Sequence, residues 1–219
     1  IIEIKKVINK AKLLVRINPI NRNSKQEIEK VINNGAEIIM LPMFKNKKEV
    51  ETFVNLVKNR AKKTLLLETT QALVRIDDIL EVEGIDEIHI GINDLHLGMN
   101  LKFMFELLSG GIIEYLSKKI KSKGIVFGFG GIARLGHGLL DSSLILSEHF
   151  RLGSEVVILS RDFKVGLENY EELIQKVDLK SEIDKILLFL KSLESESEES
   201  LKYNKLLLKK SVNKIVVDK

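Results

Sequence analysis

The stretch of residues 64–100 constrains the fold more than any other part of this 219-residue chain. Two short apolar runs, residues 65–67 and 88–90, each lead directly into a polar tip, and a helical pattern separates them. Strand, helix and strand in this order predict the parallel strands of an α/β protein. Because consecutive parallel strands point the same way, Glu68 and Asp94, one in each tip, are predicted at the same end of one sheet. Carboxylates in this position are typical of α/β enzymes that bind a divalent metal or carry out acid–base chemistry.

The alternation of strand and helix continues along most of the chain. Six apolar runs separated by helical patterns predict strands at residues 13–17, 38–41, 64–67, 87–90, 125–129 and 156–159. Strict alternation predicts an all-parallel sheet, which can be closed into a barrel or open and doubly wound. The barrel is favoured because the first strand–helix turn has no GxGxxG motif and because polar tips follow most of the strands.

The predicted fold class is therefore α/β, a TIM (β/α)8-type barrel. A complete barrel of this type has eight strands, so we expect that the first one or two β/α units are lacking. The chain begins with Ile1 instead of methionine, and we expect the protein to start earlier. The predicted domains are a catalytic (β/α)-barrel over residues 1–165 and a C-terminal helical extension over residues 166–219. Amphipathic patterns predict the helices of this extension at residues 167–177, 181–193 and 201–217.

Two local motifs carry further expectations. Ser24, with Glu27 three residues later, predicts a helix over residues 24–33 that begins with a capping box. The glycine-rich residues 128–131 predict a loop after the fifth strand. Such a loop can bind a phosphate with its backbone N–H groups, or it can simply make a tight turn.

Charge and composition exclude several classes of function. The net charge of +4 is spread through lysine-rich helical patterns, and the chain has three tyrosines and no tryptophan, so we expect no nucleic-acid partner. No apolar run approaches the ~20 residues of a membrane span, and we expect no membrane partner. Without cysteine, the chain has neither a thiolate zinc site nor a cysteine nucleophile. These properties are compatible with a cytoplasmic location, which is the predicted one.

The two carboxylates and the arginine at the first tip each admit two interpretations. Glu68 and Asp94 can hold Mg²⁺ or Mn²⁺ together with water and substrate oxygens. Alternatively, Glu68 can cap the next helix while Asp94 makes a turn. Arg16, at the end of the first strand, can bind a carboxylate or an enolate with its guanidinium fork, or it can form a salt bridge across the mouth of the barrel.

Four segments of the chain resemble the HpcH/HpaI aldolase/citrate lyase family of the phosphoenolpyruvate/pyruvate barrel superfamily. The resemblance implies that Glu68 and Asp94 are ligands of a divalent metal, Mg²⁺ or Mn²⁺. It also implies that Arg16 is catalytic and binds the 2-oxo acid or stabilises its enolate, and that the backbone around Asn93 and Asp94 faces the substrate carboxylate. The segments are LLVRINP, GAEIIMLPM, LLLETTQAL and GIDEIHIGINDLHLGM, at residues 13–19, 35–43, 65–73 and 84–99.

The resemblance implies the function of a lyase. Its expected form is a class II, metal-dependent aldolase that cleaves a carbon–carbon bond of a 2-oxo or hydroxy acid, such as pyruvate, through a metal-stabilised enolate. The alternatives are a citrate-lyase-like CoA-thioester lyase and a barrel that binds a small acid without turnover. Family aldolases carry a basic histidine before the arginine strand, and we expect its counterpart in the missing first units. The resemblance further implies a homo-oligomer whose partner is a small oxo or hydroxy acid.

Overall fold

The computed structural model describes residues 1–164 and 169–218 of the chain. Six strands are described: β1 (Leu14–Arg16), β2 (Ile38–Leu41), β3 (Lys62–Leu67), β4 (Glu87–Ile90), β5 (Val126–Ile132) and β6 (Val156–Leu159). The helices are α1 (Ile2–Val7), α2 (Ser24–Asn33), α3 (Lys47–Val57), α4 (Thr70–Val74), α5 (Ile76–Ile79), α6 (Ile92–Gly98), α7 (Glu106–Ser109), α8 (Ile112–Ser122), α9 (Ser142–Leu152), α10 (Tyr170–Lys176), α11 (Leu179–Leu193) and α12 (Glu198–Val217).

The strands form one sheet in the order in which they occur in the chain, from β1 to β6. The pairs β1–β2, β2–β3, β3–β4 and β5–β6 are parallel. A doubly wound sheet reverses its strand order at a switch point, whereas this order runs in one direction, as in a TIM-type barrel. The predicted class is confirmed: an α/β fold of the TIM-barrel type, with six strands in the described part of the chain and with C-terminal helices.

Apolar side chains bury the central strands that carry the candidate site. Nearly every residue of β2, β3 and β4 is buried, as expected for a parallel sheet of the barrel type, in which helices cover one face and side chains fill the interior on the other. Their packed side chains hold the carboxyl ends of these strands in fixed positions. The apolar side chains with no exposed surface are Ile39, Leu41, Leu65, Leu67, Ile88 and Ile90.

Several helix ends follow from local chemistry. Asn46 caps α3 by accepting a hydrogen bond from the Glu49 N–H (3.1 Å). Asp141 caps α9 in the same way, with the Ser143 N–H as donor (2.9 Å). Gly153 ends α9 with a φ of 71°, a left-handed conformation that glycine adopts without a steric penalty.

The predicted capping box of α2 is wrong. The helix begins after Asn23, which makes no side-chain capping bond. The Ser24 hydroxyl instead accepts a hydrogen bond from the Asn21 N–H (2.8 Å), and the Glu27 carboxylate accepts from Asn18. Both side chains therefore bind the segment before the helix, and the spacing of Ser24 and Glu27 does not reveal those partners.

The predicted loop of residues 128–131 is also wrong, because these residues lie inside β5. A Cβ on Gly128 would overlap the carbonyl oxygen of Val156 in the neighbouring strand. Pairing with β6 shifts its register between Gly128 and Gly131, and Gly130 has a φ of 55°. The glycines thus permit close approach of two strands and a bulge in one of them.

The internal contacts divide the chain into two compact units. One consists of Ile1–Asn100 with Lys118–Phe127, and the other of Leu101–Ser117 with Gly128–Lys219. In the second unit, α11 and α12 pack on α9. Leu208 and Val212 of α12 are fully buried, in agreement with the apolar stripe that predicts this helix.

The predicted domain boundary between residues 165 and 166 lies outside the described residues, as does the predicted helix start at residue 167. The division into a barrel and a helical extension at that point stays a prediction. Among the helices in the described part of the chain, none has the length and apolar character that crossing a membrane requires.

Candidate metal and substrate site

A cavity of about 380 Å³ lies at the carboxyl ends of the first three strands and at the start of the helix after β4. We call it the site cavity. Three of the four residues predicted for the site, Arg16, Glu68 and Asp94, come together there because parallel pairing places the ends of their strands side by side. The complete lining is Arg16, Ile17, Asn18, Pro19, Pro42, Met43, Glu68 and Asp94.

Glu68 is the buried acid of the site cavity. It follows β3 directly, and only 4% of its surface is exposed. Its Oε1 accepts a hydrogen bond from the Met43 N–H (3.1 Å), and its carboxyl shares a hydrogen bond with that of Asp94. Burial, reinforced by the Asp94 charge, raises the pKa of Glu68 to about 7, against the opposing effects of the Met43 N–H and the Arg16 charge.

Thr69 caps the helix that follows β3, and Glu68 is therefore left for the site cavity. The Thr69 hydroxyl accepts a hydrogen bond from the Ala72 N–H (3.1 Å). It also donates to the carbonyl oxygen of Phe44 (2.7 Å), which ties the end of β3 to the segment after β2. Of the two interpretations of Glu68, the helix-capping one does not describe this structure.

Asp94 lies in the first turn of α6, which begins almost directly after β4. A Cβ on Gly91 would lie 2.9 Å from the Glu68 Cβ, so a glycine here leaves room for the buried acid. Asp94 is half-buried and lines the site cavity. Asn93, the fourth predicted site residue, is exposed in the same turn. It is not among the described residues that line the site cavity.

No sequence pattern points to Met43, yet it positions Glu68. Its φ of 54° lies in the left-handed region, which costs a residue with a side chain on the order of 1 kcal/mol. In this conformation its N–H is directed at the Glu68 Oε1. The sequence signal that could have found this sharp exit from β2 is Pro42, which ends the strand.

Arg16 is exposed at the end of β1. Within the described part of the chain it forms no salt bridge, so the interpretation of Arg16 as a structural ion-pair partner is not supported. Its positive charge acts on Glu68 and opposes the rise of that residue's pKa. A guanidinium that lines a cavity without an ion-pair partner is suited to bind a carboxylate or an enolate oxygen.

The donor set of the site cavity fits a hard divalent cation. Glu68 and Asp94 supply carboxylate oxygens, and Mg²⁺ is commonly bound by one or two carboxylates together with water and substrate oxygens. The described residues contain no group of three or more histidine or acidic side chains placed to hold a metal. An ion held by this pair would therefore keep open positions. The proton that Glu68 retains near neutral pH is the group that a cation would replace.

The raised pKa of Glu68 predicts a specific loss of stability with rising pH. In metal-free buffer, Glu68 is protonated in both the folded and unfolded states below about pH 4.5 and costs nothing there. Between pH 4.5 and 7 the unfolded state releases its proton first, so ionisation favours unfolding, and above about pH 7 the full cost remains. Glu68→Gln should therefore be more stable than wild type at pH 8 by on the order of 3 kcal/mol.

Thermal or urea unfolding in a chelating buffer at pH 5 and pH 8 measures this difference. Glutamine is the matched replacement because its Oε1 can still accept from the Met43 N–H and its amide can donate to Asp94. If the advantage of Glu68→Gln is the same at both pH values, Glu68 does not hold its proton in the folded state.

Residues 3–106 match the model of a protein family described as HpcH/HpaI aldolase/citrate lyase. The matched segment includes Arg16, Glu68 and Asp94, and it confirms the family resemblance read from the sequence. No curated protein matches the sequence.

Three solved structures share the fold at low sequence identity. An HpcH/HpaI aldolase/citrate lyase family protein from Burkholderia cenocepacia J2315 is 12% identical with a TM-score of 0.55, over 68% of this chain and 66% of that protein. RipC from Yersinia pestis is 13% identical with a TM-score of 0.57, over 87% of this chain and 80% of RipC. The citrate synthase SbnG is 18% identical with a TM-score of 0.54, over 84% of this chain and 73% of SbnG.

Proposed function

We propose that this chain, which matches the HpcH/HpaI aldolase/citrate lyase family over residues 3–106, is a metal-dependent carbon–carbon lyase that acts on a small 2-oxo or hydroxy acid. The observation that carries the proposal is the site cavity, in which a buried, proton-retaining Glu68 adjoins Asp94 and an arginine without an ion-pair partner among the described residues. A purely structural role does not explain why two carboxyl groups lie in contact at the wall of a cavity.

Glu68 and Asp94 are the residues that would hold the divalent ion, Mg²⁺ or Mn²⁺. The ion would supply positive charge at the carboxylate and keto oxygens of the substrate. The Met43 N–H fixes the Glu68 carboxyl by its bond to Oε1, so that the second oxygen remains for the cation. Thr69 holds the same strand end through its bond to the Phe44 carbonyl.

Arg16 would bind the substrate carboxylate and stabilise the negative oxygen that develops when the carbon–carbon bond breaks and its electron pair moves to the keto group. Because no described acid pairs with it, this charge is available to the substrate. Pro19, Pro42 and Met43 line the same cavity and would contact the bound acid.

Exchange of the pyruvate methyl protons with deuterium in D₂O tests the proposal, because it reports removal of a proton next to the keto group without a second substrate. Proton NMR should show exchange by the full-length wild type, which includes the N-terminal histidine that the family resemblance implies, only when Mg²⁺ or Mn²⁺ is present. Arg16→Lys should require a much higher pyruvate concentration while its affinity for Mn²⁺ is unchanged, because an ammonium group cannot replace the planar fork. Wild-type exchange at the same rate in EDTA would refute the metal dependence. An absence of exchange in both conditions would favour a barrel that binds a small acid without turnover.

A further inference from the structure

The carboxylate of Glu27 binds the segment that leads from β1 into the site cavity. Its Oε1 accepts two hydrogen bonds from one residue, Asn18: the backbone N–H donates at 3.1 Å and the side-chain Nδ2 donates at 2.8 Å. Glu27 lies in the first turn of α2, and Asn18 comes two residues after Arg16 at the end of β1. These bonds therefore fasten the site segment to the helix that follows it.

The sheet does not hold this segment beyond Ile17. The last sheet bond joins the Ile17 N–H to the Met40 carbonyl (3.1 Å). Pro19 has no N–H to donate. The next bonds, from Asn21 Nδ2 to the Pro19 carbonyl (2.7 Å) and from the Asn21 N–H to Ser24 (2.8 Å), link parts of the turn to one another and to the start of α2. Among the described residues, Glu27 is the partner that holds Asn18 itself.

Asn18 and Pro19 form the wall of the site cavity next to Arg16. Glu27 lines a neighbouring polar cavity of about 460 Å³ that shares Asn18 with the site cavity. The Glu27 carboxylate thus contacts this wall from the neighbouring cavity. A substrate in the site cavity would not touch it. Both hydrogen bonds end on a charged oxygen. Hydrogen bonds to ionised groups are stronger than those between neutral groups, so this pair holds Asn18 well for a surface loop.

We propose that Glu27 is a positioning residue for the substrate end of the site cavity: its bonds to Asn18 set the wall beside Arg16, while the metal-binding end is independent of it. The proposal rests on the proposed function for its kinetic consequence, but the bonds themselves do not. The metal-binding end is held by Met43 and Thr69, which belong to the segments after β2 and β3. Loss of Glu27 should therefore weaken the binding of the acid and leave metal affinity unchanged.

Three variants of α2 separate this role from a general effect on the helix. Glu27→Ala removes the acceptor, and Glu27→Gln retains an acceptor oxygen without the charge. The matched control is Glu29→Ala on the same helix, which removes a surface ion pair with Arg60 (2.7 Å) and makes no contact with Asn18. In the pyruvate exchange assay, Glu27→Ala should raise the half-saturating pyruvate concentration about tenfold, with the maximal rate and the Mn²⁺ affinity nearly unchanged. Glu27→Gln should recover most of this loss, and Glu29→Ala should behave as wild type.

Amide hydrogen–deuterium exchange at Asn18 tests the same proposal without turnover. The Asn18 amide should exchange faster in Glu27→Ala than in wild type and in Glu29→Ala. Equal exchange at Asn18 in all three proteins would overturn the proposal, as would equal half-saturating concentrations in Glu27→Ala and Glu29→Ala, or a Glu27→Gln variant as impaired as the alanine variant. If the wild type does not exchange pyruvate protons at all, the proposed function fails, and the Asn18 amide still decides whether Glu27 anchors the wall.

Discussion

Replacement of Asp94 by asparagine is expected to slow the metal-dependent exchange of pyruvate methyl protons by more than about 100-fold. The amide keeps the size of the side chain but removes the negative charge that a divalent ion needs from this half of the site. Glu68 alone would then face the ion, and its burial favours the protonated form that does not bind metal. Proton NMR in D₂O with saturating Mg²⁺ measures the rate directly.

Asp86→Asn is the matched control for this variant. Asp86 precedes β4 and accepts the Lys63 N–H (2.7 Å) at the other end of the same strand. Asp86→Asn should leave the exchange rate near that of the wild type. It makes the same chemical change as Asp94→Asn, but at the end of the strand away from the site cavity. Exchange by Asp94→Asn at the wild-type rate would show that the carboxylate at the tip after β4 has no part in the reaction.

Replacement of Arg151 by methionine is expected to lower the free energy of unfolding by about 3–5 kcal/mol. Arg151 donates from Nε and from an NH2 group to the two oxygens of Glu148 (2.7 and 2.8 Å), and from NH2 to Glu114 (3.0 Å). Only 1% of the surface of Glu148 is exposed. Without Arg151 its charge would remain buried and uncompensated, which is the costly way to break an ion pair.

Urea unfolding followed by circular dichroism measures the effect, and a double variant identifies the cause. Combining Arg151→Met with Glu148→Gln should recover much of the loss, because the double variant leaves no buried charge without its partner. Lys180→Met, which removes an exposed ion pair with Asp184 (2.9 Å), should change the unfolding midpoint little. A double variant that is as unstable as Arg151→Met would indicate lost packing of the arginine side chain instead of an unpaired Glu148.

Sequence periodicity predicts the strands and most helices because those elements bury apolar side chains at regular intervals. The strand Glu87–Ile90 and the helix Ser24–Asn33 occur at their predicted bounds. The helical pattern before residue 80 is divided into α4 and α5 at Arg75, since apolar spacing shows which face is buried but not whether the backbone bonds are continuous.

Contacts across the chain account for the parts of the site that sequence patterns do not predict. Met43 matters through a backbone N–H that any residue carries, and only its φ and its distance to Glu68 reveal the role. Glu27 occupies a helix position that fits a capping box, but its partner lies nine residues earlier, beyond the range of local capping rules. Glu68, Asp94 and Arg16 could be proposed from sequence because each stands at the end of an apolar strand or just beyond it.

Binding of Mn²⁺ tests the central claim that Glu68 and Asp94 form one metal site divided between two strand ends. Free Mn²⁺ can be counted by electron paramagnetic resonance during titration of the protein at pH 8, where Glu68 has largely lost its proton. We expect one site in the wild type, weakened by more than about 100-fold in both Glu68→Gln and Asp94→Asn and unchanged in Glu27→Ala. Equal Mn²⁺ affinity in the wild type and in both carboxylate variants would contradict the claim.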